Sequence, residues 1–313
     1  MRSPSEQRSR SRRWRLSAPA EKTARVRRPG ALLIGSLAYL ALIFGVMLWR
    51  GISIEPEWVV LALLVIAIPL GRGRAFVVDW GPFLLLFLAY EEMRGFAAKT
   101  GFAPHDLSGL ERFVFGGNIP TLVLQHAFYR PGVVGPQDVV ALFFYFMHFP
   151  LPILVGFFFW LRSREHFHRY IAALLLMSFV AFATYLFFPS APPWYQLHDV
   201  VKINDHTVQA LWDNHYSVSA IYASFNPNRF AAFPSLHAAF PALAAVYAWS
   251  RYRWLSLLLI GWTTCVGVAI VYLGEHYVVD ALDGFLYVAV ATALVEAFVR
   301  LRARGARPAT PSA

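Results

Sequence analysis

Cysteine is almost absent from this 313-residue chain: the single Cys265 excludes an intrachain disulfide and the paired-cysteine zinc sites. A glycine-rich P-loop is missing as well, so nothing supports the use of ATP. Charge is scarce, at 15% of residues, while 58% are hydrophobic and 16% aromatic, with a mean hydropathy of +0.48. Soluble globular domains carry about 25% charged residues, so this composition excludes that class. Also missing is the period-two alternation of a membrane barrel. Lipid offers no partners to unpaired backbone groups, which leaves helices, and the expected fold class is all-α: a polytopic membrane helix bundle of about six to eight transmembrane helices.

What the chain has in abundance is apolar runs near the length of a bilayer crossing, roughly 20 residues. They fall at about 31–50, 57–71, 76–96, 138–160, 170–189, 232–250, 254–274 and 277–299, the second being the shortest. Before them, residues 1–29 hold ten Lys or Arg and form a basic, disordered arm. The apolar run after Gly30 has no clear small-residue cleavage site, so it is expected to stay as a first membrane helix rather than be removed as a signal. A transmembrane catalytic domain then occupies 30–300 and a tail 301–313; from Arg300 onward the chain carries four arginines.

The distribution of basic residues orients the bundle. With the N-terminus inside, the arm, Arg72 and Arg74, Arg162 to Arg169, Arg251 and Arg253, and the tail place 21 of 28 Lys and Arg in the cytoplasm. The net charge of +10 is then a topology determinant and an anionic-lipid contact. Nucleic acid is not an expected partner, because no stacking module accompanies the charge. The expected location is a bacterial plasma membrane, with both termini cytoplasmic. Two long connections, 97–137 and 190–231, fall on the outer side. The first is amphiphilic, with Glu111 and Arg112 among Leu107, Leu110 and Phe113, and predicts short interfacial helices. The second predicts a lid or rim over the outer helix ends.

Chemistry concentrates where the last apolar stretches begin. Phe233-Pro234-Ser235-Leu236-His237 opens one, and Gly274-Glu275-His276-Tyr277-Val278-Val279-Asp280 opens another. On a helix, residues four apart share a face, so Asp280 can accept a proton from one nitrogen of His276, fix its tautomer and stabilise its charge. Asp283 extends the same face. Such a polar stripe is costly against lipid and is expected to face a hydrated cleft.

FPSLH, followed 39 residues after its histidine by HxxxD, resembles the type 2 phosphatidic acid phosphatase (PAP2) superfamily. Within it, the chain is more similar to the inositol phosphorylceramide synthase-like branch, which has FPSLH where lipid phosphatases have PSGH. The resemblance is strongest over 180–290, including Ala191-Pro192-Pro193-Trp194-Tyr195, and extends loosely over the bundle from 76 onward. It implies a PAP2-like core in which His276, oriented by Asp280, attacks phosphorus and forms a phosphohistidine, while His237 donates a proton to the leaving oxygen and later activates the acceptor. Substrate-binding candidates are Ser235, with the amides around Leu236 and His237 at a helix start, and Asp283, which alternatively only orients a neighbouring basic group or lines the cavity. The sequence departs from the superfamily's phosphatases at Ile270, where they carry an arginine six residues before the second histidine, and it lacks their upstream Lys-x6-Arg-Pro motif. Phosphate must therefore meet other cations. Arg229, eight residues before His237, and Arg94, in Tyr90-Glu91-Glu92-Met93-Arg94, are the candidates; each could instead be a solvated rim charge or pair with Glu91 or Glu92.

Other histidines have plainer readings. His105, His126, His166 and His168 are expected to be interfacial or hydrogen-bonded, and His198, His206 and His215 to be solvated loop residues. His148 sits inside an apolar run, where an ionisable group needs a reason; direct function and a neutral bond to a neighbouring helix are both open. No cofactor and no metal site is expected, and nothing fixes an oligomeric state. The favoured expectation is a membrane phosphotransferase moving a phosphorylated headgroup between a phospholipid and a hydroxyl acceptor. A lipid phosphatase or polyprenyl pyrophosphatase, with an isoprenoid phosphate as substrate, and a transporter using intramembrane His and Asp are the alternatives. Sidedness is directly testable. Cysteines placed near Ser190 and Gly274 are expected to react with an impermeant reagent added outside intact cells, and those near Ser163 and Arg251 to stay unlabelled; the reverse pattern puts the chemistry in the cytoplasm.

Overall fold

Prolines set where many helices begin. Proline fixes φ and has no N–H to lose, so it is well placed in a first helical turn, and here Pro56, Pro120, Pro136, Pro150 and Pro193 each start a helix. A computed structural model describes residues 56–97, 102–148, 150–211 and 228–305, with isolated positions 38, 42 and 45. Among these residues there are twelve helices and no strand: α1 (Pro56–Ala67), α2 (Gly73–Ala97), α3 (Ser108–Val114), α4 (Pro120–Phe128), α5 (Pro136–Phe146), α6 (Pro150–Arg162), α7 (Arg164–Phe187), α8 (Pro193–Gln196), α9 (Ile203–Leu211), α10 (Leu236–Trp249), α11 (Arg253–Tyr272) and α12 (Val278–Gly305).

The all-α membrane bundle is therefore present. Four helices, α2, α7, α11 and α12, are long and apolar enough to cross a membrane, and α5 with α6 makes a fifth, bent span. Seven of the eight apolar stretches are helical; the stretch 31–50 lies outside the described residues except at 38, 42 and 45. The stretch 57–71 yields only the 12-residue α1, about 18 Å long. The stretch 138–160 is two helices meeting at 50° rather than one. Pro150 explains the break, since it has no N–H with which to continue the ladder of α5 and instead opens a new helix.

Lipid removes the hydrophobic drive for helices to associate, so close packing must hold the bundle. On α10, Ala238, Ala239, Ala244, Ala245 and Ala248 are buried and let α11 and α12 approach. Between α2, α6 and α7, rings interleave instead: Phe76 stacks on Trp80 at 5.1 Å, Trp80 lies 4.9 Å from Phe167, and Phe76 meets Trp160 edge-on at 5.4 Å. Leu85, Leu257, Leu286 and Phe298 are exposed, as side chains facing acyl chains should be.

The two ends of the bundle differ. At one, Asp79 of α2 accepts from Trp160 Nε1 (2.7 Å) and Arg164, and His168 Nε2 lies 3.2 Å away. Arg169 pairs with Glu296 there, and His166 Nε2 meets the Tyr247 carbonyl at 2.9 Å. The four groups of cations assigned to the cytoplasm by charge counting that fall among described residues, including Arg72 on the Leu161 carbonyl, gather around these helix termini. At the other end lie the starts of α10 and α12. Between His237 and Tyr247 the helix rises about 15 Å, which separates the basic end from the histidine motifs.

Candidate active site

Two turns deliver the histidines. The 233–235 loop leads to Ser235 at the N-cap of α10, so His237 falls in the first turn. At the other side α11 ends at Tyr272, and Gly274 takes φ +81°, a left-handed conformation that L side chains rarely adopt. An added Cβ there would also come within 2.9 Å of the Val201 carbonyl. After that turn the amides of Glu275 and His276 both reach the Ile270 carbonyl, at 3.0 and 3.2 Å. Asp280, in the first turn of α12, accepts the Tyr277 amide at 2.8 Å, a carboxylate satisfying a helix-start donor.

The motifs converge. His276 Nε2 lies 3.2 Å from His237 Nδ1. His276 Nδ1 is 2.9 Å from the Ala232 carbonyl and 3.4 Å from Asp280 Oδ2. A carbonyl can only accept, so we assign the proton to Nδ1, which leaves the Nε2 lone pair directed at His237. The sequence pointed to Asp280 as the orienting group; it is present, but the shorter contact comes from a backbone carbonyl in the loop preceding the first motif. Most of the acidic stripe is enclosed. His276 is 4% exposed and Asp280 and Ser235 0%, while His237 and Asp283 are half-buried, so the pair is more open on the His237 side.

His237 is held from a third element. The Tyr145 ring stacks on it at 4.6 Å and 19°, and the His148 ring lies 4.1 Å away at 41°. His148 stands at the α5–α6 break, so the bend rather than a regular helix face brings it to the site.

Several supporting groups were not legible as such. Glu111 of α3, 0% exposed, accepts the amides of Val278 (2.9 Å) and Val279 (3.1 Å) and so caps α12 from more than 160 residues away. Burial pushes its carboxyl above the usual range, partly offset by those two donors. The Ser235 amide donates to the Asp280 carbonyl at 2.9 Å, locking the two motif segments together. A Cβ on Gly284 would come within 2.6 Å of the Ser235 carbonyl, so this contact needs glycine. Tyr185 of α7 donates to the Pro234 carbonyl at 2.8 Å. Beside His276, Glu275 accepts from Asn204 at 2.6 Å, and burial raises its carboxyl while Lys202 opposes the rise. Gln125 donates to the carbonyls of Val201 and Tyr272, both at 2.8 Å, and accepts the Val201 amide at 2.9 Å. The short helices of 97–137 therefore plug the histidine-bearing end of the bundle as much as they lie on it.

The candidate substrate residues are less uniformly placed. Ser235 Oγ is buried without a hydrogen-bond partner among the described residues, as are Ser190 Oγ, Asn228 Nδ2 and one oxygen of Asp283. Arg229 is exposed, with its guanidinium 5.9 Å from the Phe230 ring. Arg94 lies in the last turn of α2, and its side chain is outside the described residues, as is all of His215. Ile270 is fully buried in the core. Of the plainer histidines, His105 stacks on Phe188 at 3.9 Å, and His126, His198 and His206 are exposed. No group of three or more His, Cys, Asp or Glu that could hold a metal ion occurs among the described residues.

A sequence model described as the PAP2 superfamily matches residues 107–294, a span that runs from the start of α3 into α12. The phosphoinositol dihydroceramide synthase of Bacteroides thetaiotaomicron is 31% identical over 231 residues, covering 67% of this chain and 73% of that protein. Among solved structures, Aquifex aeolicus LpxE aligns over 63% of this chain and 98% of its own, at 19% identity and a TM-score of 0.37.

The Glu111 cap yields a stability test. Replacing Glu111 by Ala orphans two buried donors, at about 1–3 kcal/mol for each unsatisfied group, and should lower thermal unfolding in detergent and activity together. Glu111→Gln, which keeps one acceptor oxygen, should fall between the Ala variant and the parent. An unchanged melting temperature for the Ala variant would show that α12 starts without this cap.

Proposed function

Because this chain belongs to the PAP2 superfamily, we propose that it is an integral membrane phosphotransferase that moves a phosphorylated headgroup from a phospholipid to a hydroxyl acceptor through a phosphohistidine. The observation that carries this reading is the His276 Nε2 to His237 Nδ1 approach of 3.2 Å, with the far nitrogen of His276 held by Ala232 and Asp280. A nucleophile whose lone pair faces a potential acid, and whose other nitrogen is fixed, brings together the groups that nucleophilic and general acid catalysis need.

In the first step, His276 Nε2 attacks phosphorus and the bond from phosphorus to the lipid oxygen breaks. That oxygen takes a proton from His237, so the departing lipid leaves as an alcohol. In the second step, the acceptor hydroxyl gives its proton to His237 as its oxygen attacks the phosphohistidine. The P–N bond breaks, returning His276 to its starting form and His237 to its protonated form. Asp280 and the Ala232 carbonyl stabilise the positive charge that develops on His276. Phosphorus approached from about 3 Å on one side, with its leaving oxygen within about 3 Å of the acid on the other, needs the two nitrogens roughly twice as far apart as they stand. Substrate entry therefore includes separation of the pair, and half-buried His237 is the partner with room to move.

The name of the Bacteroides relative favours a transferase with an inositol-phosphate headgroup and a ceramide-like acceptor over a phosphatase. Ser190 Oγ, Asn228 Nδ2 and Ser235 Oγ, which have no hydrogen-bond partner among the described residues, suit the hydroxyls and phosphate oxygens of such a headgroup. The basic residues at the opposite end of the bundle support an active site on the extracytoplasmic side.

The reading is tested with purified protein in vesicles that contain phosphatidylinositol labelled at its headgroup phosphate. Label is expected to move to added ceramide, and Asp280→Asn to slow the transfer on the order of 10²-fold or more by weakening the orientation and charge stabilisation of His276. Release of label to water as inositol phosphate, at a rate indifferent to acceptor, would make the protein a hydrolase rather than a transferase. Uptake of a solute without any phosphoryl transfer would make it a transporter.

A further inference from the structure

A phosphoryl group at the histidine pair would enter surroundings rich in carboxylates. Asp280 and Asp283 lie on α12, Glu275 precedes His276, and Glu111 stands behind the first turn of α12. Phosphoryl transfer depends on donors and positive charge aimed at the nonbridging oxygens. Arg229 is exposed and lies against Phe230, and Lys202 is 3.0 Å from Asp205 and 4.6 Å from the Trp194 ring. A further nitrogen-bearing side chain in ring contact with the pair is His148, 4.1 Å from the His237 ring centroid to centroid.

The position of His148 is built. The α5–α6 bend takes it out of a regular helix, and the Tyr145 carbonyl receives both its amide (3.4 Å) and its Nδ1 (3.0 Å). Tyr145 itself stacks on His237, so one residue fixes both imidazoles. With Nδ1 committed to that carbonyl as a donor, a new partner would be met by Nε2, and in the imidazolium form both nitrogens donate.

We propose that His148 is a phosphate-binding residue of this site, its Nε2–H donating to a nonbridging oxygen as the phosphoryl group passes between His276 and His237. The assignment rests on the headgroup-transfer reading for its substrate and adds a donor for the nonbridging oxygens to that reading. It also gives the broken helix a purpose: a straight α5–α6 span would not set two imidazoles against one another.

The test uses the full-length protein with His148→Phe and His148→Gln, followed by lipid transfer and, separately, by inhibition and thermal shift with orthovanadate, a mimic of the pentacoordinate phosphoryl group. Phe keeps a ring against Tyr145 and His237 and removes both nitrogens. It should lower kcat on the order of 10²-fold, as loss of one transition-state donor does elsewhere, with KM for the donor lipid changed only a few fold and orthovanadate weakened about tenfold or more. Gln, whose amide N–H can stand in for Nε2–H, should restore part of both. A Phe variant with parental kcat and orthovanadate affinity overturns the proposal, and so does equal impairment of Phe and Gln, since either outcome leaves His148 as packing. If the parent binds orthovanadate but transfers no headgroup, the transfer reading fails while phosphate binding by His148 is still decided by the vanadate arm.

Discussion

The buried donors where α10 and α12 begin must find acceptors inside the protein, because neither lipid nor bulk water reaches them. That constraint builds the site. The loop after α11 folds back on the Ile270 carbonyl, Glu111 caps the start of α12, and Asp280 takes the Tyr277 amide. These bonds fix where His276 emerges, and the Ala232 carbonyl then selects which of its nitrogens carries the proton. Catalytic geometry and backbone satisfaction are served by the same contacts, so weakening the cap or the loop should disturb the chemistry without touching a reacting atom.

Rigidity is uneven around the pair. His276 is enclosed and bonded on its far side, whereas His237 is half-buried and held by ring contacts with Tyr145 and His148. Stacked rings slide more easily than hydrogen bonds break, each ring contact being worth about 0.5–1.5 kcal/mol beyond area burial. In the proposed reaction the nucleophile is then the fixed member and the acid the adjustable one, which suits leaving and accepting alcohols that differ in size and must both approach His237.

The local part of this was readable from sequence. HxxxD predicts His276 and Asp280 on one helix face, but α12 starts at Val278, so His276 sits in the preceding loop and comes to 3.4 Å from Asp280 without sharing the helix. FPSLH does announce a helix start with a histidine in its first turn. Hydropathy gave the helical stretches but not the break in 138–160, because an averaging window does not register that Pro150 lacks a donor. Long-range contacts left no local trace. Glu111 looked like one charge in an amphiphilic segment, and only the fold shows its carboxylate on the amides of Val278 and Val279. Gly284 resembled any helix glycine until the Ser235 carbonyl was found against it. The orienting carbonyl of Ala232 has no side-chain signature at all. Conversely, nearness in sequence made Arg229 a candidate, but the turn after Asn228, closed by the Ala231 amide on the Asn228 carbonyl and the Ser190 amide on Phe230, leaves Arg229 on the surface.

The central claim is that His276 carries the phosphoryl group and His237 handles the proton. The most direct measurement exposes His237→Ala and His276→Ala proteins to a radiolabelled phosphate donor with a good leaving group, which needs little help from a general acid. The account predicts acid-labile, base-stable label on the His237→Ala protein, mapping to the peptide that contains His276, and none on the His276→Ala protein. Label that accumulates on the His276→Ala protein instead would contradict it and assign the nucleophile to the other histidine.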